Sequence, residues 1–126
     1  MSHDHDSADG ELLVILRHAP HGSSWLREGL DAALVAAAFG QRVSLLFMGE
    51  GVMALVDGQE AGPLGQKGTA PTLRMLEMYD IDALWVEREA LAARGLDEAA
   101  LMLAPRCLEA PGIVELIDAH DLVLTF

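Results

Sequence analysis

One cysteine and five histidines carry most of the nucleophilic and acid–base potential of this 126-residue sequence. A lone cysteine can carry sulfur only as an exposed thiolate, stabilised by a positive neighbour or a helix N-terminus. Arg106 adjoins Cys107, and Pro111 opens a helix soon after, which suits that chemistry. The flanking Pro105, Leu108 and Glu109 suit a small buried hydrophobe equally well. Histidine is the side chain suited to moving protons near neutral pH, so His18 and His21 are candidates for a general acid or base. No residue close to them in sequence offers an orienting partner, so turn or interface polarity describes them as well. His120 precedes an apolar run and reads as a helix-end residue, where a cation suits the dipole. His3, Asp4, His5 and Asp6 could hold a metal on paper. Within MSHDHDSADG they read instead as a flexible acidic tail over residues 1–10, and no metal site or cofactor is expected.

Glycine-rich phosphate chemistry fails on spacing. Gly49-Glu50-Gly51 lacks the third glycine of a dinucleotide fingerprint, and Gln66-Lys67-Gly68-Thr69 lacks the spaced glycines of a phosphate loop. Charge removes further classes. Twenty acidic residues against eight basic ones give a net charge of −12, with Lys67 the one lysine. Phosphate backbones and anionic lipid both need clustered basic residues. Aromatics at 5% are too few for a base-stacking platform. One cysteine rules out an internal disulfide and a thiolate zinc cage.

The elements that must position these residues follow from hydrophobic pattern. Hydrophobic residues make up 52% of the chain, enough for one folded domain over residues 11–126. No secretory leader is legible at the start, and no apolar window reaches the ~18 residues of a membrane span. A cytoplasmic location is therefore expected. LLVIL at Leu12–Leu16 reads as a strand buried on both faces. Ser23 or Ser24 caps a helix reaching about Phe39, with Gly40 as its stop. Its second half, Ala32 to Phe39, has no polar residue, and in so small a domain that hints at a face covered by a subunit contact.

Further strands are expected at Val43–Met48, Ala83–Val86, Leu101–Ala104 and Leu122–Phe126. Helices are expected near Val52–Val56, Thr69–Met78, Arg88–Arg94 and Ile113–Ala119. Such alternation predicts an α/β fold, a three-layer α/β/α sandwich around a mainly parallel five-stranded sheet. Sites in such sheets lie at the carboxyl ends of strands. That points to Arg17–Gly22, Met48–Gly51, Glu87–Arg88 and Pro105–Cys107.

Several stretches carry a family likeness. Ala19-Pro20-His21-Gly22, Arg27-Glu28-Gly29-Leu30-Asp31-Ala32, Phe47-Met48-Gly49-Glu50-Gly51-Val52 and Asp57-Gly58-Gln59 resemble the DsrE/DsrF-like family. Within it they are similar to the TusC/DsrF branch. Tyr79-Asp80-Ile81, Trp85-Val86, Ala93-Arg94-Gly95-Leu96 and the closing Asp121-Leu122-Val123-Leu124-Thr125-Phe126 extend the resemblance over about residues 12–126. The resemblance implies a subunit of a sulfur-relay complex, joined to DsrE/TusD-like and DsrH/TusB-like sister subunits. Persulfide sulfur would be passed towards 2-thiolation of tRNA wobble uridine or used in sulfur oxidation.

The family's carrier cysteine belongs to the sister subunit, and the corresponding stretch here, Gly68-Thr69-Ala70-Pro71-Thr72, has none. The implied role is therefore non-catalytic, without direct nucleic-acid or membrane contact. His18, His21, Gly22, Met48, Gly51 and Thr69 are the candidate interface or site-lining residues. Two alternatives stand beside it. One is a stand-alone sulfurtransferase using Cys107; the other is a small-ligand binder at the strand ends.

Overall fold

The computed structural model describes residues 10–56 and 70–126. Five strands alternate with helices: β1 (Gly10–Leu16), α1 (Trp25–Ala38), β2 (Val43–Phe47), α2 (Ala70–Met78), β3 (Ala83–Glu87), α3 (Arg88–Ala93), β4 (Arg106–Leu108), α4 (Ala110–Asp118) and β5 (His120–Thr125). Tight 3-10 turns run over Gly49–Leu55 and Glu98–Ala100. Residues 1–9 of the expected tail, the loop expected over Glu60–Gly68, and Thr69 lie outside the described residues. β1 takes in Gly10, where an added Cβ would meet His120 Nε2 at 2.7 Å.

The sheet order is β4-β3-β2-β1-β5, and every pairing is parallel. Its logic follows from chain direction. Steps from β1 to β4 move one way across the sheet, and the last step returns past β1 to β5. Right-handed crossovers in opposite directions place their helices on opposite faces. Accordingly Leu26, Leu30, Leu73, Leu76 and Leu91 share one core with Leu12, Val14, Leu45, Phe47 and Val86. Ile113 and Leu116 of α4 pack on the other face, against Leu13, Ile15, Leu46 and Trp85. Alternate residues of LLVIL feed the two cores, which is why the run has no polar member.

Local signals set the element ends. Ser24 is the N-cap of α1, and its hydroxyl bonds the Glu28 carboxylate rather than a backbone N–H. Gly40 follows at φ +91° and turns the chain into β2. Asp80 ends the α2 segment at φ +61°, a conformation that Asp tolerates better than most residues.

One expectation needs correction. Leu101–Ala104 is not the fourth strand. Leu103 and Ala104 have positive φ, and Leu101 makes a single antiparallel bridge to Val56. Met102 N–H donates to the Leu55 carbonyl at 2.8 Å. The apolar run is buried as a loop against the 3-10 segment, and β4 forms only after Pro105. The apolar half of α1 leaves part of its surface open in the isolated chain. Ala33 is fully buried, but Val35 is 56% exposed and Phe39 83%.

His120 serves the end of α4 from inside the protein. Its Nδ1 lies 2.8 Å from the Leu116 carbonyl, and Nε2 lies 2.8 Å from Ser44 Oγ. A carbonyl only accepts, so Nδ1 carries the hydrogen. The ring thereby satisfies one of the last carbonyls of the helix.

Gly51 is the most closely approached of the described glycines. A Cβ there would stand 2.0 Å from the Leu16 carbonyl oxygen. Gly51→Ala must push the 3-10 segment off β1 and is expected to cost on the order of 2 kcal/mol or more. Urea denaturation of Gly51→Ala against the parent chain measures it.

Candidate functional site

Strand order reverses between β1 and β5, and such a reversal opens a crevice at the strands' carboxyl ends. A cavity of about 700 Å3 lies there, lined by Arg17, His18, Trp25, Gly49, Glu50, Arg94, Thr125 and Phe126. Backbone bonds assemble it. Arg17 N–H donates to the Phe126 carbonyl at 2.8 Å, and Phe126 N–H donates to the Ile15 carbonyl at 2.8 Å. Met48 N–H reaches the Leu16 carbonyl at 2.9 Å. Gly49 N–H is held by Glu87 Oε1 at 2.9 Å, which ties the loop after β2 to the end of β3.

Side chains give the cavity its chemistry. His18 stacks on the half-exposed Trp25, with ring centroids 5.6 Å apart and planes 23° from parallel. One Arg94 Nη donates to the Ala90 carbonyl at 3.0 Å and steadies the guanidinium. Arg17 makes no side-chain hydrogen bond or ion pair among the described residues. Glu50 supplies the opposing charge. The site can hold an anionic group and a flat one. No group of three or more potential metal ligands occurs among the described residues.

The expected site residues disperse. His18 lines the cavity. His21 and Gly22 are exposed on the turn beyond it. Met48 packs beneath the sheet on the α4-side core, and Gly51 is buried against β1. Arg94 and the Thr125–Phe126 end escaped the sequence reading because adjacency of β5 to β1 is a matter of strand order. Trp25 could have been found: it lies four residues after His21, where the chain turns from β1 into α1.

Cys107 is placed elsewhere, inside β4 rather than after a strand. It is half-buried and packs against the α1-side core. Arg106 does not activate it. Neighbouring strand residues point to opposite faces, and the Arg106 guanidinium lies 5.1 Å above the Trp85 ring. Desolvation raises the thiol pKa above its ordinary value, and a hydrogen bond to the Glu98 carboxylate and that group's charge raise it further. Arg88 pulls it down, more weakly; its guanidinium lies 3.5 Å from Glu98 and 3.7 Å from Glu109. This is the reverse of an activated thiolate.

Comparison with known proteins gives a consistent result. Residues 11–126 match the model of the DsrE/DsrF-like family. A TusC homolog of Vibrio parahaemolyticus is 37% identical over 116 residues, covering 92% of this chain and 98% of that protein. The intracellular sulfur oxidation protein DsrF of Allochromatium vinosum is 36% identical over 114 residues, covering 86% of this chain and 84% of that one. The crystal structure of the ychN protein from E. coli superposes with a TM-score of 0.81, at 20% identity. It covers 93% of this chain and 99% of that one, and it shows the shared fold.

A raised thiol pKa leaves less thiolate at neutral pH. Cys107 is therefore expected to alkylate more slowly than free cysteine, as iodoacetamide kinetics would show. Glu98→Gln removes the negative charge beside the thiol and should speed the reaction, whereas Arg88→Gln should slow it.

Proposed function

The chain belongs to the DsrE/DsrF-like family, and from that premise we infer that it is a non-carrier subunit of a sulfur-relay complex. The observation that carries this reading is the position of its one thiol. A relay cysteine must reach the thiolate form and meet a partner's sulfur. Cys107 lies within an edge strand with its pKa raised. By the family resemblance the carrier loop corresponds to residues 68–72, which hold no cysteine.

An uncovered apolar surface supports the assembly part of the reading. Phe39 is 83% exposed at the end of α1, and Met78 is 80% exposed at the end of α2. Val35, Met75, Tyr79 and Leu122 are exposed at the same, amino-terminal end of the strands. Large apolar side chains left exposed near one end of a small domain suit an interaction site. We propose that DsrE/TusD-like and DsrH/TusB-like sister subunits cover it, in the cytoplasm. No described helix is long and apolar enough to cross a membrane. The proposed destination of the sulfur is 2-thiolation of the tRNA wobble uridine, as in the TusC branch that the sequence resembles. Sulfur oxidation is the second reading, favoured by the relative named DsrF.

Native mass spectrometry of the chain mixed with its sister subunits, after persulfide loading, tests the role. A mixed oligomer bearing the extra sulfur on the sister subunit alone is expected, with transfer unchanged by Cys107→Ala. Extra sulfur on this chain, lost in Cys107→Ala, would make Cys107 the carrier and overturn the reading. Phe39→Glu and Met78→Glu alter solvent-exposed side chains, so each should keep the fold while weakening assembly by roughly tenfold or more. Restored 2-thiouridine in a strain lacking its TusC subunit would assign the first destination, and failure there would favour the second.

A further inference from the structure

We propose that the cavity at the reversal between β1 and β5 binds a small organic anion, a carboxylate or phosphate group attached to a flat body. This does not rest on the relay reading; it follows from the side chains alone. Twenty acidic residues surround eight basic ones in this chain, so carboxylates are plentiful wherever an arginine needs a partner. Arg88 has found two, Glu98 and Glu109, and Arg106 lies on Trp85. Arg17 and Arg94 instead line one concavity. Arg17 has all five of its guanidinium N–H donors unused among the described residues. Arg94 has one engaged by the Ala90 carbonyl. A pair of guanidinium groups with free donors matches the oxygens of a carboxylate or phosphate.

The rest of the cavity defines the ligand's body. Its ~700 Å3 exceeds what an inorganic anion fills and falls in the usual range of about 300–1,000 Å3 for small organic ligands. The His18–Trp25 stack provides a flat apolar wall. Glu50 on the lining repels a second negative charge and turns the anionic head towards the arginines. The backbone around the site is fixed before any ligand arrives: Arg17 N–H is bonded to Phe126 and Gly49 N–H to Glu87. The apolar surface assigned to sister subunits lies at the opposite end of the strands, so assembly there leaves this cavity open.

The test is NMR titration of the full chain with benzoate, phenyl phosphate, acetate and inorganic phosphate at constant ionic strength. Saturable shifts of the Arg17 and Gly49 amides are expected for the two aromatic probes, each binding more tightly than its non-aromatic counterpart. Arg17→Gln and Arg94→Gln should each weaken binding by roughly tenfold or more, and Glu50→Gln should tighten it. Arg42→Gln, at the other end of the sheet, should leave it unchanged. Non-saturating shifts, or binding equal in Arg17→Gln and the parent chain, would overturn the anion site. Equal affinity for acetate and benzoate would overturn the flat body. Because the probes require no sister subunit, these outcomes are independent of whether the relay complex forms.

Discussion

The carboxyl end of the sheet depends on two consecutive backbone units, those of Leu16 and Arg17. The Leu16 carbonyl accepts from Met48, and the Arg17 N–H donates to Phe126. Segments that follow β1, β2 and β5 are therefore joined at one point. The same carbonyl is what excludes a Cβ at Gly51. That approach lets the 3-10 segment seat Val52 and Leu55 in the core. The cavity lining is thus a consequence of how tightly the backbones close around the end of β1.

Burial sets the division of labour over the surface. β1 and β2 are buried on both faces, so their side chains are committed to packing and only their ends are free to carry chemistry. The two ends differ. Where strands finish, arginines, a histidine, a glutamate and a half-exposed indole meet in a concavity. Where strands begin, helices α1 and α2 finish with apolar side chains facing solvent. A polar pocket and an apolar contact surface on opposite ends allow one small domain to bind a molecule while joined to other subunits.

Much of this order was legible in the sequence. LLVIL and VSLLF read as strands because period-two burial on both faces leaves no room for charge. The stop of α1 at Gly40 and the turn at Asp80 follow from which residues tolerate positive φ. The fourth strand was misplaced, since Leu101–Ala104 has the composition of a strand. Its burial comes from packing beside Leu55 and Val56, a contact with a segment forty-five residues earlier that no local pattern encodes. Pattern reports that a run must be buried, and only the partner decides whether it is buried as strand or loop.

The candidate site divides in the same way. Residues beside a strand end in sequence, such as Arg17 and His18, were foreseeable from the rule that crevices form there. Arg94, Thr125 and Phe126 were not, because they come from elements whose place next to β1 is set by strand order. Cys107 shows the limit most clearly. Sequence placed an arginine beside it, but the alternation of a strand sends that arginine to the opposite face, over Trp85. What neighbours the thiol in space is Glu98. By itself the sequence determined the class of fold, the buried strands and the absence of a second thiol, because these depend on composition and period. Tertiary structure alone decided which charges meet in the cavity and which side of the thiol pKa balance prevails, because electrostatic interaction depends on distance through space and on local burial.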